Sequence, residues 1–377
     1  SRFQKAELMH LYIRSDADEK IGVGHIMRCI ALAQAWKDRG GEVTFISHCE
    51  SETLKERIQS EGFSYITLYN VCPDSSDLKK TLSILKNENT DQKIWFVLDG
   101  YHFTTEYQKT IRDEGIRLLV IDDMNHLSHY HADILLNQNI HAPDLKYLCD
   151  GDTTLLLGTR YVLLRREFLK YQDFKRQIPD KAKNILVTLG GADPDNVTMQ
   201  VIQALEIMDV EGLEGIIVIG GTNPSLEIIH QAARNSRHNL SVEYDVKNMP
   251  ELMAWADMAV AAGGSTCWEL AFMALPSLIM VLADNQFAVA KFLHDRGLSI
   301  NIGSFKDVDL TDIATALCDL IKDNAKRKEM AKIAKSFVDG KGRERIVNML
   351  QCDDLFLRKA IIEDCELLWK WVNDPEA

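Results

Sequence analysis

Arg14-Ser15-Asp16-Ala17-Asp18-Glu19-Lys20-Ile21-Gly22-Val23-Gly24-His25-Ile26-Met27-Arg28 lies between an apolar run (Leu8, Met9, Leu11, Ile13) and an amphipathic one (Ile26, Ile30, Leu32, Ala33, Trp36). The order reads as strand, glycine-rich loop, helix. Such a junction aims free backbone N–H groups at whatever lies above the sheet, which favours an anionic group. It also sets His25, a side-chain type that exchanges protons near neutrality, in the first turn of the helix. Gly22 and Gly24 alone are weak evidence, because many such turns need a positive φ. The company they keep is stronger. Asp16 and Arg28 flank the same loop, and Arg28 follows His25 by one helical turn, so both face one side. The bland alternatives are a packing His25, a turn residue at Asp16 and a surface ion pair at Arg28.

Outward from this loop, residues 8–164 alternate short apolar runs with helical patterns. Strands are expected at Leu8–Arg14, Glu42–Ser47, Ser64–Leu68, Ile94–Asp99, Arg117–Asp122 and Asp133–Leu136, with helices such as Glu52–Ser60 and Thr105–Glu114 between them. Ile94-Trp95-Phe96-Val97-Leu98 is apolar without a break, as expected of a strand covered on both faces. The pattern implies a doubly wound parallel sheet. A charged linker, 165–183, follows, and the alternation then restarts over 184–350: strands at Asn184–Leu189, Ile216–Ile219, Ser241–Tyr244, Met258–Ala261 and Pro276–Val281, and a helix at Asp195–Met208. Leu317–Leu350 reads as helical and able to pack back across the domains. The expected fold class is α/β, two Rossmann-like doubly wound domains. Residues 353–377 break the pattern and read as one strand and one helix.

Two further strand–glycine–helix junctions fall in the second half. Gly190 and Gly191 follow Val187-Thr188-Leu189, and serve equally well as a diphosphate cradle or an ordinary turn with an Asp or Asn cap. Gly263-Gly264-Ser265 follow Val260-Ala261-Ala262 and bring N–H groups close to any phosphate there. Glu269, one turn on, is placed to accept from ribose hydroxyls or to complement the helix N-terminus. Asn285 sits at another junction, where substrate binding competes with the commoner role of cap. Tyr101 follows the strand ending at Asp99, on the ligand side of a parallel sheet. Asp122, Asp123, His126, His129 and His131 suggest a metal, but the histidines share no helical face and no Cys supports them, so no metal is expected.

Composition narrows the class. At 377 residues two domains are the default, and 46% hydrophobic residues supply full cores. A net charge of −13 disfavours nonspecific nucleic-acid binding, though not a small phosphorylated ligand. No apolar run is long enough to span a membrane, and Ser1–Lys5 has no signal-peptide region behind it. Eight scattered Cys without a C-x-x-C pair point to reduced thiols and a cytoplasmic protein. A monomer is expected.

The Arg14-Ser15-Asp16…Ile21-Gly22-x-Gly24-His25-x-x-Arg28 stretch resembles the opening signature of the nucleotide-sugar hydrolases of pseudaminic acid biosynthesis. Asp122-Asp123…Ala132-Asp133-Ile134-Leu135-Leu136-Asn137, Gly190-Gly191, Ser265…Glu269-Leu270-Ala271 and Asn285-Gln286 extend the likeness over roughly residues 8–340. The resemblance implies a GT-B fold, with the active site between two Rossmann-like domains, and release of UDP from a UDP-diacetamido-trideoxyhexose without a cofactor. It also implies His25 as base, Tyr101 near the sugar, and Glu269 and Asn285 at the nucleotide end. Asp16 joins His25 and Tyr101 among the expected catalytic residues. Gly22, Gly24, Arg28, Gly190, Gly191, Gly264 and Ser265 join the expected UDP contacts. A GT-B glycosyltransferase and a non-catalytic nucleotide-sugar binder are the competing classes, since a fold does not choose its acceptor. Leu355–Ala377, with Trp371-Val372-Asn373-Asp374-Pro375, resembles the start of a GNAT N-acetyltransferase; without an acetyl-CoA loop, no acetyl transfer is expected.

Overall fold

The computed structural model describes residues 9–18, 21–70, 74, 76–87, 93–191, 193–221 and 223–351. The acetyltransferase-like segment at 353–377 lies outside these residues. The first sheet has seven parallel strands, β1 (Met9–Ser15), β2 (Glu42–Ser47), β3 (Ser64–Thr67), β4 (Lys93–Asp99), β5 (Arg117–Ile121), β6 (Ile134–Asn137) and β7 (Thr154–Leu157), in the order β3-β2-β1-β4-β5-β6-β7. The second has six, β8 (Asn184–Thr188), β9 (Glu214–Ile219), β10 (Asn239–Tyr244), β11 (Met258–Ala262), β12 (Ser277–Val281) and β13 (Ile300–Ser304), in the order β10-β9-β8-β11-β12-β13. Both are doubly wound, and each reverses direction beside its first strand.

The continuous apolar runs have the predicted cause. Leu11 and Ile13 of β1, with Trp95 and Val97 of β4, pack into the core on one face of the first sheet. Tyr12, Phe96 and Leu98 alternate into the core on the other. The second sheet is likewise covered on both faces. Two strands carry too weak a signal to be expected from sequence. β7 is an edge strand of four residues. β13 is only half-buried and pairs with β12 across an irregular register.

Chain order and packing part company at the end of the second domain. The helix Gly342–Gln351 buries Ile346, Val347 and Leu350 in the core of the first domain. Its Leu350 carbonyl accepts from the Trp95 indole at 2.7 Å. The 165–183 linker is also more than a solvated stretch: Arg165 and Phe168 are buried.

Candidate active site

The carboxyl ends of the two sheets face each other across a cleft of about 380 Å³. The topological reversals lie between β1 and β4 and between β8 and β11, where open α/β sheets leave a crevice. Gly22, Gly24, His25, Arg28, Tyr101, Gly190, Gly191, Gly264, Ser265, Glu269 and Asn285 all line the cleft. Asp16 does not. It is wholly buried, with its carboxylate paired to Arg14 and 3.1 Å from His102 Nε2, and it accepts the His48 backbone N–H at 2.7 Å. Arg14, equally buried, needs two counter-charges, Asp16 and Asp77, and this need withdraws Asp16 from the cleft. Burial pushes the Asp16 carboxyl up, but the hydrogen bonds from His102 and Arg14 outweigh it and hold it at about 2.

The first glycine loop delivers His25. Gly22 has φ +73°, the left-handed turn that ends the loop, and the helix Gly24–Asp38 then starts with neither a side-chain cap nor an acidic first turn. Its leading N–H groups are open to an anion. His25 Nδ1 lies 2.7 Å from Asp99 Oδ1. A terminal nitrogen of Arg28 lies 3.1 Å from the same Nδ1, but Asp99 is the shorter contact and an ionised carboxylate only accepts, so Nδ1 carries the proton and Nε2 is left as the basic nitrogen. Among the described residues, none hydrogen-bonds Nε2.

Arg28 closes this network from one helical turn away. Its Nε and one terminal nitrogen reach Asp99 at 2.7 and 2.6 Å, and the other reaches Asp123 at 2.8 Å. Burial opposes ionisation of Asp99, but the charge of Arg28, with the hydrogen bonds from Arg28 and His25, prevails and holds its carboxyl well below the carboxylate range. Asp123 is held low in the same way, chiefly by Arg28 against burial. The guanidinium is thus spent on carboxylates rather than presented to a phosphate. Tyr101 packs edge-on to His25, with ring centroids 4.7 Å apart, and donates its hydroxyl to Asp123 at 2.8 Å. Burial, then Asp123, raise the phenol so that it stays protonated. From the facing domain Asn285 donates to the Tyr101 oxygen at 3.1 Å. Asn285 therefore caps no helix; it joins the lobes.

The second domain contributes backbone. The Gly263 N–H is tied to the Gln286 side chain and to the Met280 carbonyl, both at 3.2 Å, and the next two residues, Gly264 and Ser265, line the cleft. The lobes approach closely here. A Cβ on Gly24 would stand 3.7 Å from Ser265 Oγ, and one on Gly191 would stand 2.9 Å from a Val23 methyl. Glu269 pairs with Arg165 of the linker at 2.8 Å. Burial raises its carboxyl, and Arg165 offsets part of that rise.

The sequence assigns no role to Asp99, Asn139 or Arg165, and offers Asp123 only as part of a metal set. Asn139 donates to Asp123 at 2.7 Å. Their signal is position: Asp99 is the last residue of β4, and Asp123 and Asn139 follow the carboxyl ends of the adjacent strands β5 and β6.

Two doubly wound parallel-sheet domains around a shared cleft define the GT-B fold, and this chain has it. Residues 184–345 match the glycosyltransferase family 28 C-terminal domain. The chain is 25% identical over 345 residues to the spore coat polysaccharide biosynthesis protein SpsG of Bacillus subtilis, covering 91% of this chain and 98% of that protein. It is 25% identical over 295 residues to the UDP-2,4-diacetamido-2,4,6-trideoxy-beta-L-altropyranose hydrolase of Campylobacter jejuni, covering 78% and 98%. The crystal structure of Acinetobacter baumannii MurG superposes with a TM-score of 0.62 at 15% identity, over 91% of this chain and 99% of that one. The chain is a GT-B protein similar to SpsG and to that hydrolase.

Proposed function

We propose that this protein hydrolyses a UDP-linked diacetamido-trideoxyhexose at its anomeric carbon, releasing UDP and the free sugar. The observation that carries the reading is the cleft arrangement. An imidazole has Nδ1 fixed on Asp99 and an Nε2 that none of the described residues hydrogen-bonds, and it lines the same cleft as Gly264 and Ser265, whose backbone N–H groups have no partner among the described residues. The likeness to the Campylobacter hydrolase supports the substrate class.

In this mechanism His25 Nε2 removes a proton from water as the water oxygen bonds to the anomeric carbon. The bond from that carbon to the diphosphate oxygen breaks, and its electron pair leaves with UDP. The imidazolium so formed is stabilised by Asp99, and its proton later passes to solvent. A base of this kind commonly supplies about 10²–10⁴-fold. The N–H groups of Gly264 and Ser265 and the uncapped start of the Gly24–Asp38 helix offset the charge that gathers on the diphosphate. Attack from the face opposite UDP inverts the anomeric centre. Arg28 and Asp123 hold the Asp99–His25 pair, and Tyr101, its hydroxyl engaged by Asp123 and Asn285, lays its ring beside the sugar.

A GT-B glycosyltransferase with a UDP-sugar donor is the second reading, and the match of 184–345 to the family 28 domain favours it. Incubating the protein with UDP-diacetamido-trideoxyhexoses and no acceptor, followed by NMR, separates the two. Free sugar and UDP in equal amounts support hydrolysis; UDP release only after an alcohol is added supports transfer. His25→Ala is expected to lose about 10²–10⁴-fold in turnover with UDP affinity retained. Near-normal turnover by a folded His25→Ala protein removes His25 from the role.

A further inference from the structure

On the outer flank of the first domain, away from the cleft, three side chains converge that the reaction does not use. His129 Nε2 and His131 Nδ1 each lie 2.9 Å from Asp150 Oδ1, and the three donor atoms fall within 4.8 Å of one another. None of them lines the cleft. The geometry points to a site for a divalent transition-metal ion, Zn²⁺ by its chemistry, held by His129, His131 and Asp150 with a remaining position open to solvent.

The local chain explains the convergence. The absence of a shared helical face does not bear on these histidines, because the segment is extended. Tyr130 makes a parallel bridge to Cys149, and its own side chain is wholly buried. In extended chain the side-chain period is two, so His129 and His131, on either side of an inward Tyr130, emerge on the opposite face together. The same bridge brings Asp150, the residue after Cys149, alongside them. His126, the third histidine of the run, turns elsewhere, with Nδ1 3.2 Å from Asp122.

The donors are held by their surroundings. The His129 carbonyl accepts from Thr105 Oγ1 at 2.8 Å, and the His131 N–H donates to the Gln108 side chain at 3.1 Å, which ties both backbones to the helix Thr105–Asp113. Thr153 fixes the Asp150 turn, giving its N–H to the Asp150 carbonyl at 3.1 Å and its hydroxyl to the Ala132 carbonyl at 2.7 Å. Such outer bonds orient ligands and sharpen affinity. Two imidazole nitrogens and one carboxylate oxygen are a donor set that zinc takes with one further ligand. Bonds of about 2.0–2.2 Å in a tetrahedral site need donors roughly 3.3 Å apart. A shift of under an ångström by the Asp150 carboxylate, out from between the two rings, opens that space from 2.9 Å. Lys109 and Arg112 of the neighbouring helix pair with other carboxylates, Asp113 and Asp152.

The test uses the full chain, stripped with chelator and titrated with ZnCl2 by calorimetry and with CoCl2 by visible absorption. One equivalent is expected, with cobalt d–d bands of a low-coordinate N/O site and a higher thermal midpoint in the presence of zinc. His131→Ala and the near-isosteric Asp150→Asn are expected to weaken zinc binding about tenfold or more and to abolish the thermal shift. Hydrolysis of nucleotide sugar by these variants is expected to stay at the parent rate. Absence of zinc binding overturns the proposal. So does one-equivalent binding that Asp150→Asn, His129→Ala and His131→Ala all leave unchanged, since the ion then sits on other residues.

Discussion

At the scale of single residues, Asp99 sets the chemistry of His25. The neutral imidazole has two tautomers, and only the one protonated at Nδ1 leaves Nε2 basic; the carboxylate selects it from 2.7 Å. Asp99→Asn keeps the shape but lets the amide donate, so Nδ1 becomes the acceptor and the wrong nitrogen carries the proton. We expect turnover to fall about 10²–10⁴-fold with UDP affinity changed little, read from kcat and from calorimetric titration with UDP. Unaltered kcat would show that Asp99 does not orient the base. Asp16 has a different role, as a buried counter-charge to Arg14. Its carboxyl sits at about 2 in the folded protein against 3.8 ordinarily, so folding favours its charged form. That contribution, on the order of 2 kcal/mol, is complete above the ordinary value and is lost as pH falls toward the folded one. Urea unfolding across this acid range should show the loss in the parent protein. Asp16→Asn should be less stable at neutrality and lack this part of the acid loss. Matching acid limbs in the two proteins would remove Asp16 from that role.

At the scale of elements, the glycine loops work in pairs because they meet. The Val23 side chain fills the space beside Gly191, and a Cβ on Gly220 would lie 2.4 Å from the Gly191 backbone. Small residues here let two loops and a ligand share one crevice. The helix Gly342–Gln351 matters for another reason: it returns the chain to the first domain after the second is complete. Ile346 is fully buried in the first domain's core. Ile346→Ala is expected to cost about 2–5 kcal/mol, measured by denaturant unfolding, with a first-domain probe such as Trp95 reporting the loss. A change below 0.5 kcal/mol, roughly the range of surface substitutions, would mean that the helix does not help to hold that domain.

At the scale of the whole molecule, one hydrogen-bonded chain runs from the second lobe to His25. Asn285 donates to Tyr101, Tyr101 to Asp123, Arg28 to both Asp123 and Asp99, and Asp99 holds His25. A second chain, Arg57–Glu167–Arg165–Glu269, passes through the linker. The hydrogen bonds thus link the second lobe to the orientation of the His25 ring. In a double-mutant cycle on UDP-sugar affinity, Asn285→Ala and Tyr101→Phe should each weaken binding. Their combination should show coupling on the order of 1 kcal/mol. Strictly additive effects would mean that the Asn285–Tyr101 bond does not contribute to binding.

Much of this was legible along the chain because it depends on local order. Unbroken apolar runs in alternation with helical patterns dictate two parallel doubly wound sheets, since such strands must be covered on both faces. Glycines between strand and helix mark the loops that line the cleft, since turn geometry is a near-neighbour property. The partners of those residues are long-range matters. Asp99 and Arg28 are joined across 71 positions, Asn285 and Tyr101 across 184. Asp16 and Asp99 are both buried acidic residues at the end of an apolar strand, and one is paired with Arg14 while the other holds His25 and Arg28. Only tertiary structure decided between them, because a buried charge is placed by whichever opposite charge the fold brings within reach, and sequence spacing does not encode that distance.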